Sequence, residues 1–181
     1  MKNLNIRILF LFICLPFLAC SQTPKKFDIP RPKQDILQYN LSAPEAHGVV
    51  NDFEDLFTKN QKAELDSLIN DFKKRTTIQI AIATLDEYQC DKADFDAYSL
   101  QLANAWGVGI KGKDNGVFIA ISKQFRQMRI QNGKGIEKVF TNEQTKQIID
   151  QYFIPKFKED NYFEGTKNGL QQLIKELEKA K

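Results

Sequence analysis

Ten residues, Gly107-Val-Gly-Ile-Lys-Gly-Lys-Asp-Asn-Gly116, contain two phosphate-binding patterns. Gly107, Gly109 and Gly112 spell G-x-G-x-x-G, and Gly107, Gly112 and Lys113 spell the opening of a Walker loop. Such loops work by leaving a strand and entering a helix, whose first N–H groups and positive dipole then face the phosphates. Here the order is reversed: a helical pattern ends at Gly107 and a strand pattern begins after Gly116. The loop would offer phosphate the carbonyl end of a helix. Asp114 also stands where a Walker loop needs Ser or Thr for magnesium. Both features argue against a nucleotide.

The acidic end of the loop has different chemistry. Asp114, Asn115 and Gly116 form a tight turn with oxygen donors, which suits a hard cation such as calcium or magnesium. If the next two strands form a hairpin, Asn132-Gly-Lys-Gly-Ile-Glu137 returns to the same sheet edge. Asp114, Asn115 and Glu137 then converge, with Thr141 nearby and Arg129 on the polar side of the returning strand. The competing reading is structural: Asp-Asn-Gly is a turn signal in its own right, and Glu137 an ordinary surface acid. There is no EF-hand spacing and no His or Cys cluster of the zinc type.

The elements that must position these residues follow from periodicity. Thr58 and Gln61 make a capping box, and Leu65, Leu68, Ile69 and Phe72 recur at helical spacing. Ile78 to Leu85 reads as a central strand, with Ile78, Ile80 and Ile82 on one face and Ala81 and Ala83 on the other. Phe95, Tyr98, Leu102 and Trp106 mark a second helix, stopped by Gly107. Val117–Ile121 and Arg126–Gln131 read as a hairpin closed by Lys123-Gln-Phe. Thr141 and Gln144 form another capping box and start a helix through Ile148, Ile149, Tyr152 and Phe153 to Pro155. A last helix starts near Tyr162 and carries Leu170, Leu173, Ile174 and Leu177. The expected fold is α/β: a three-layer α/β/α sandwich with a small mixed β-sheet.

The amino-terminal residues bear on compartment. Lys2 and Arg7 precede the apolar run Ile8–Leu15, and Phe17-Leu-Ala-Cys20 resembles a bacterial lipobox. The expectation is a lipoprotein signal peptide over 1–19, a lipidated Cys20 opening a proline-containing tether over 20–46, and one domain over 47–181. That places the protein in the cell envelope, held to a membrane by the lipid on Cys20 and facing the periplasm or the surface. Of the three cysteines, Cys14 leaves with the signal and Cys20 takes lipid, so Cys90 has no intramolecular partner. The only histidine is His47, so Cys90 is expected to be an inert thiol. Losing Lys2 and Arg7 leaves 24 basic against 23 acidic residues, a near-neutral balance that gives no reason to expect nucleic acid.

Four stretches in order resemble the TPM-domain family, which includes thylakoid-lumen proteins linked to photosystem II repair and many bacterial envelope proteins. They are Gly48-Val-Val-Asn-Asp52; Trp106-Gly-Val-Gly with Lys113-Asp-Asn-Gly-Val117; Arg129-Ile-Gln-Asn-Gly-Lys-Gly-Ile-Glu137; and Ile154-Pro-Lys-Phe157 with Asp160-Asn-Tyr-Phe-Glu-Gly165. The resemblance spans about His47 to Leu173. It implies an α/β/α sandwich and divalent-cation binding, chiefly calcium, at Asp52, Asp114, Asn115 and Glu137. Asp52 precedes a helix that runs back along the sheet. Either the segment before Thr58 doubles back or there are two acidic clusters, the second near Asp86 and Asp160. The leading expectation is a lipid-anchored envelope domain that binds calcium or magnesium and acts through a protein partner. The alternative is a metal-dependent acid phosphatase hydrolysing phosphomonoesters, with Glu137 and Asp114 on the metal and Arg129 on the phosphate. No covalent phosphatase motif occurs around Cys90, and no D-x-D-x-T/V segment is present.

Overall fold

The computed structural model describes residues 43–180. The expected signal peptide over 1–19, the expected lipidation site Cys20 and most of the expected tether lie outside the described residues. Four strands form one sheet in the order β1-β2-β3-β4: β1 Val50–Asp52, β2 Gln79–Thr84, β3 Gly116–Ser122 and β4 Gln127–Asn132. β1, β2 and β3 are parallel, and β4 returns antiparallel along β3, with Val117 opposite Asn132 and Ser122 opposite Gln127.

Helices α1 (Lys59–Thr76) and α2 (Phe95–Ala105) flank β2 in sequence. After β4 come α3 (Lys134–Glu137), α4 (Asn142–Ile148), a π-helical segment (Ile149–Phe153), α5 (Ile154–Lys158) and α6 (Tyr162–Lys179). The two faces of the sheet carry two separate cores. Ile80, Ile82, Val117, Ile119 and Ile121 pack with Leu65, Ile69 and Phe72 of α1 and with Leu170, Leu173 and Leu177 of α6. Ala81, Ala83, Phe118 and Ala120 pack with Tyr98 and Leu102 of α2. Small residues on the second face let a single helix lie close. The architecture is the expected three-layer α/β/α sandwich.

Both capping boxes form: Thr58 and Thr141 each accept from the backbone N–H of the glutamine three residues on, and each glutamine side chain returns the bond. Three elements differ from expectation. β1 was not foreseen; with three residues it is too short to display a period, yet it extends the sheet by pairing Val50 with Ile82. The expected Gly133–Glu137 loop contains α3. The helix from Thr141 does not stop at Pro155. Proline supplies no N–H, and the chain widens just before it, with the N–H of Ile154 reaching the Ile149 carbonyl. The helix then continues through Lys158 with Pro155 in its first turn.

Two glycines of α6 face this widened segment. A Cβ at Gly165 would lie 2.6 Å from the Phe157 ring, and one at Gly169 would lie 2.0 Å from the Phe153 ring. The pair Gly165 and Gly169, one turn apart, is therefore the groove in which two phenyl rings sit.

On the other face of the sheet, the indole of Trp106 packs between Phe53 and Phe118. Its Nε1–H donates to the Pro44 carbonyl at 2.7 Å, and Asn51 Oδ1 accepts from the His47 N–H at 2.7 Å. The chain ahead of β1 is thus fastened to the domain before it pairs. Cys90 is buried and free. Burial, and then the charges of Asp94, Asp91 and Asp86, push its thiol up to about 12, so it carries no thiolate at neutral pH. Among the described residues, no helix is long and apolar enough to cross a membrane.

Candidate functional site

The loop from Gly107 to Gly116 is built by backbone contact. Asp114 has a φ of 49° and its N–H bonds to the Ile110 carbonyl. Asn115 clamps the loop to its surroundings. Its Oδ1 accepts from the Ile110 N–H at 2.9 Å, and its Nδ2 donates to the Thr77 carbonyl at 2.9 Å. The second loop packs directly on the first: the Gly133 N–H bonds to the Gly116 carbonyl at 2.8 Å and the Gly135 N–H to the Asp114 carbonyl at 2.9 Å. The hairpin thus brings Asp114 and the segment leading to Glu137 to one edge, as the topology requires. The amide of Asn115 is spent on the backbone.

Two predicted site residues stand elsewhere. Arg129 is opposite Ala120 in mid-strand, and its Nε lies 2.6 Å from Asp96 of α2. Its side chain is drawn onto the α2 face by that carboxylate, away from Asp114 and Glu137. Asp52 ends β1 beside Thr84, at the opposite edge of the sheet. It does not join the Asp114 cluster, because β1 runs parallel to β2 and carries it to the carboxyl edge. There it accepts from the N–H groups of Leu56 and Phe57 and from the Thr84 hydroxyl, at 3.1, 2.8 and 2.6 Å. Both its oxygens organise the loop into α1.

The carboxyl edge of β1, β2 and β3 has its own architecture. Glu54 accepts from the N–H groups of Lys123 and Gln124 at 2.9 and 3.0 Å, and from the Ser122 hydroxyl at 3.3 Å. It therefore holds the β3–β4 turn from the loop after β1. Burial pushes its carboxyl above the usual range, and these hydrogen bonds only partly offset that.

Against this turn opens a cleft of about 680 Å3, lined by Ser122, Lys123, Arg126, Gln127, Ile154, Phe157, Lys158, Asp160 and Tyr162. Phe157 and Tyr162 stack with ring centres 4.7 Å apart, and Lys123 lies 5.4 Å from the Tyr162 ring centre. Burial raises the Tyr162 phenol, and the charge of Asp160 raises it further. Lys123 Nζ is 3.0 Å from the Asp160 carboxylate. Arg126 and Lys158 have no carboxylate partner among the described residues.

Asp55, Arg126 and Asp160 all adopt left-handed backbone, with φ of 52°, 54° and 59°. Such conformations cost free energy and tend to gather around functional sites. Carboxyl ends of strands are also where open α/β sheets bind ligands. The sequence expectation of Asp86 and Asp160 at this edge agrees with the structure; the three cations beside them were not anticipated.

Among the described residues, no three His, Cys, Asp or Glu side chains are grouped so that they could hold a metal ion. The Asp114 edge offers hard oxygen donors of the right kind, but only two carboxylates. Calcium takes 6–8 oxygens, so these residues do not form a closed calcium site.

Comparison with solved structures supports the fold. The N-terminal domain of a protein from P. gingivalis superposes with a TM-score of 0.67 at 24% identity, covering 78% of this chain and 88% of that one. The N-terminal domain of the cg2496 protein from Corynebacterium glutamicum gives 0.55 at 17% identity, covering 76% and 84%. The BA42 protein from Bizionia argentinensis gives 0.53 at 21% identity, covering 71% and 86%. At these identities the likeness concerns fold alone. No curated protein is matched. The family model of the TPM domain matches residues 50–176, which includes all four strands and nearly all of α6. This chain belongs to the TPM-domain family.

Proposed function

We propose that the domain binds a small anionic ligand in the cleft at the carboxyl edge of its sheet. The observation that carries this reading is the charge of the cleft. Lys123, Arg126 and Lys158 line it against the single carboxylate of Asp160. Charges of one sign inside a concave wall concentrate the field and attract the opposite sign. The Ser122 hydroxyl is spent on Glu54 and on the Phe125 N–H, so the cations carry the reading.

Titration of residues 43–181 with inorganic sulfate, followed by amide NMR, tests this. Shifts are expected at Ser122–Gln127 and Asp160–Tyr162. Replacing both Arg126 and Lys158 by Gln should weaken binding by about tenfold or more while the fold persists, since a charge-assisted contact is worth about 1.5–3 kcal/mol. Sulfate shifts spread over the surface, or unchanged in the double variant, would remove the cleft from consideration.

A second reading is attached to the opposite edge. The Gly135 N–H bond to the Asp114 carbonyl brings the turn bearing Asp114 beside the helix bearing Glu137. Two carboxylates with water completing the shell would suit a weak calcium site. Calcium should then shift Asp114 and Glu137 amides and raise the unfolding temperature, and Asp114→Ala should abolish both effects. A wild-type domain indifferent to millimolar-range calcium would exclude it.

A further inference from the structure

The cleft already contains one anion. Asp160 sits in the three-residue connection between α5 and α6, and its carboxylate pairs with Lys123 Nζ at 3.0 Å. The connection does not leave that carboxylate loose. The Asp160 N–H bonds to the Phe157 carbonyl at 3.0 Å and the Asn161 N–H to the Lys156 carbonyl at 2.9 Å. Glu159 is held by Lys156 at 2.8 Å, and Asn161 caps α6. Asp160 itself adopts a φ of 59°, which Asp tolerates better than most residues. The backbone is thus bent so that a carboxylate is presented to a lysine of the cleft.

We propose that Asp160 is a built-in competitor for Lys123, which a ligand anion displaces on binding and which reclaims the lysine when the ligand leaves. The inference rests on the anion-binding reading above and concerns what sets the affinity of that site. An intramolecular carboxylate held beside its partner acts at high effective concentration. Yet the pair is exposed, with side chains 46% and 71% accessible, so its own stabilisation is small and a ligand can break it. Lys123 also lies over the Tyr162 ring, which keeps the ammonium inside the cleft as its partner changes. Arg126 and Lys158 remain available to make first contact. The cleft is arranged so that a ligand is received by two unpaired cations and then exchanges with Asp160 for the third.

The discriminating experiment is a double-mutant cycle read by sulfate affinity in the amide NMR titration. Asp160→Asn is expected to tighten sulfate binding about three- to fivefold, the release of one exposed ion pair. In the Lys123→Gln background the same change should have almost no effect, because the contested lysine is gone. If Asp160→Asn tightens binding equally in both backgrounds, Asp160 acts by general repulsion and the competitor is refuted. If it weakens binding, Asp160 assists the ligand, and the proposal is likewise refuted. Sulfate binding that is absent from all four proteins would refute the anion-binding reading itself and the competitor with it.

Discussion

Phe153→Ala is expected to destabilise the domain by about 3–5 kcal/mol, the range for removing a fully buried phenyl ring. Phe153 is 0% exposed and meets Phe157 edge-on, with ring centres 6.0 Å apart. It also seats on Gly169, where even one added carbon would fall 2.0 Å from the ring. The site cannot collapse easily after truncation. One wall is the backbone of α6 at Gly169, and another is the Phe157 ring of α5. The measurement is urea unfolding at constant slope. A loss below about 1 kcal/mol would mean that α6 slides inward to fill the space, and the close glycine contact would then not be a fixed feature. Gly169→Ala tests the same contact from the other side and should cost about 1–3 kcal/mol by overpacking.

Gly116→Ala should be comparably damaging for a different reason. Its Cβ would be built 2.0 Å from the Val108 carbonyl oxygen and 2.9 Å from the Gly109 N. Both obstacles are backbone, so no side-chain rotamer relieves them. The loop must move, and Asn115 ties it both to Ile110 and to the end of α1. A loss of about 3 kcal/mol, and roughly 10 °C in melting temperature, is expected. Gly112→Ala is the internal control. Gly112 has a φ of 83° and nothing within 4 Å of its Cβ position, so only the conformational penalty of about 1–2 kcal/mol applies. Gly116 itself has ordinary strand backbone, so a loss there no larger than at Gly112 would show that the loop yields and that crowding against Val108 is relieved cheaply.

The contrast between those glycines bears on what could be read from the sequence. The position of the loop, after a helix and before a strand, was legible because Trp106 and Val117 belong to patterns of different period. So were the hairpin and the approach of Gly133–Glu137 to Asp114. That Asn115 would spend its amide on Ile110 and Thr77 was not legible. Nothing in the local sequence reveals that the end of α1 lies within reach. The cleft was hidden for a related reason. Lys123 and Arg126 come from a tight turn, and Lys158 and Asp160 from the end of a helix about 35 residues later. Each segment alone reads as a solvated charge run. They meet because Glu54, just past β1, holds the turn, and because the chain passes Pro155 without breaking. Neither a three-residue strand nor a π-helical widening produces a period strong enough to detect. Arg129 was misplaced by the same limit: alternation assigns it to a face, but its direction along that face depends on Asp96 of a helix remote in sequence.

The fastening of Pro44 to Trp106 determines how the domain would carry a mechanical load. Tension entering along the chain ahead of Ala43 meets one indole–carbonyl hydrogen bond first, then the His47–Asn51 contact, and only then β1. β1 is an edge strand joined to the rest by three paired residues. Asp52 at its end and Glu54 just past it hold the α1 entry and the β3–β4 turn. The Trp106 latch is therefore a strain relief. While it holds, a tug on the leading segment ends at the indole, ahead of β1. Once it and the His47–Asn51 bond part, the same tug runs along β1 as along a drawn wire toward Asp52 and Glu54, which shape the cleft edge.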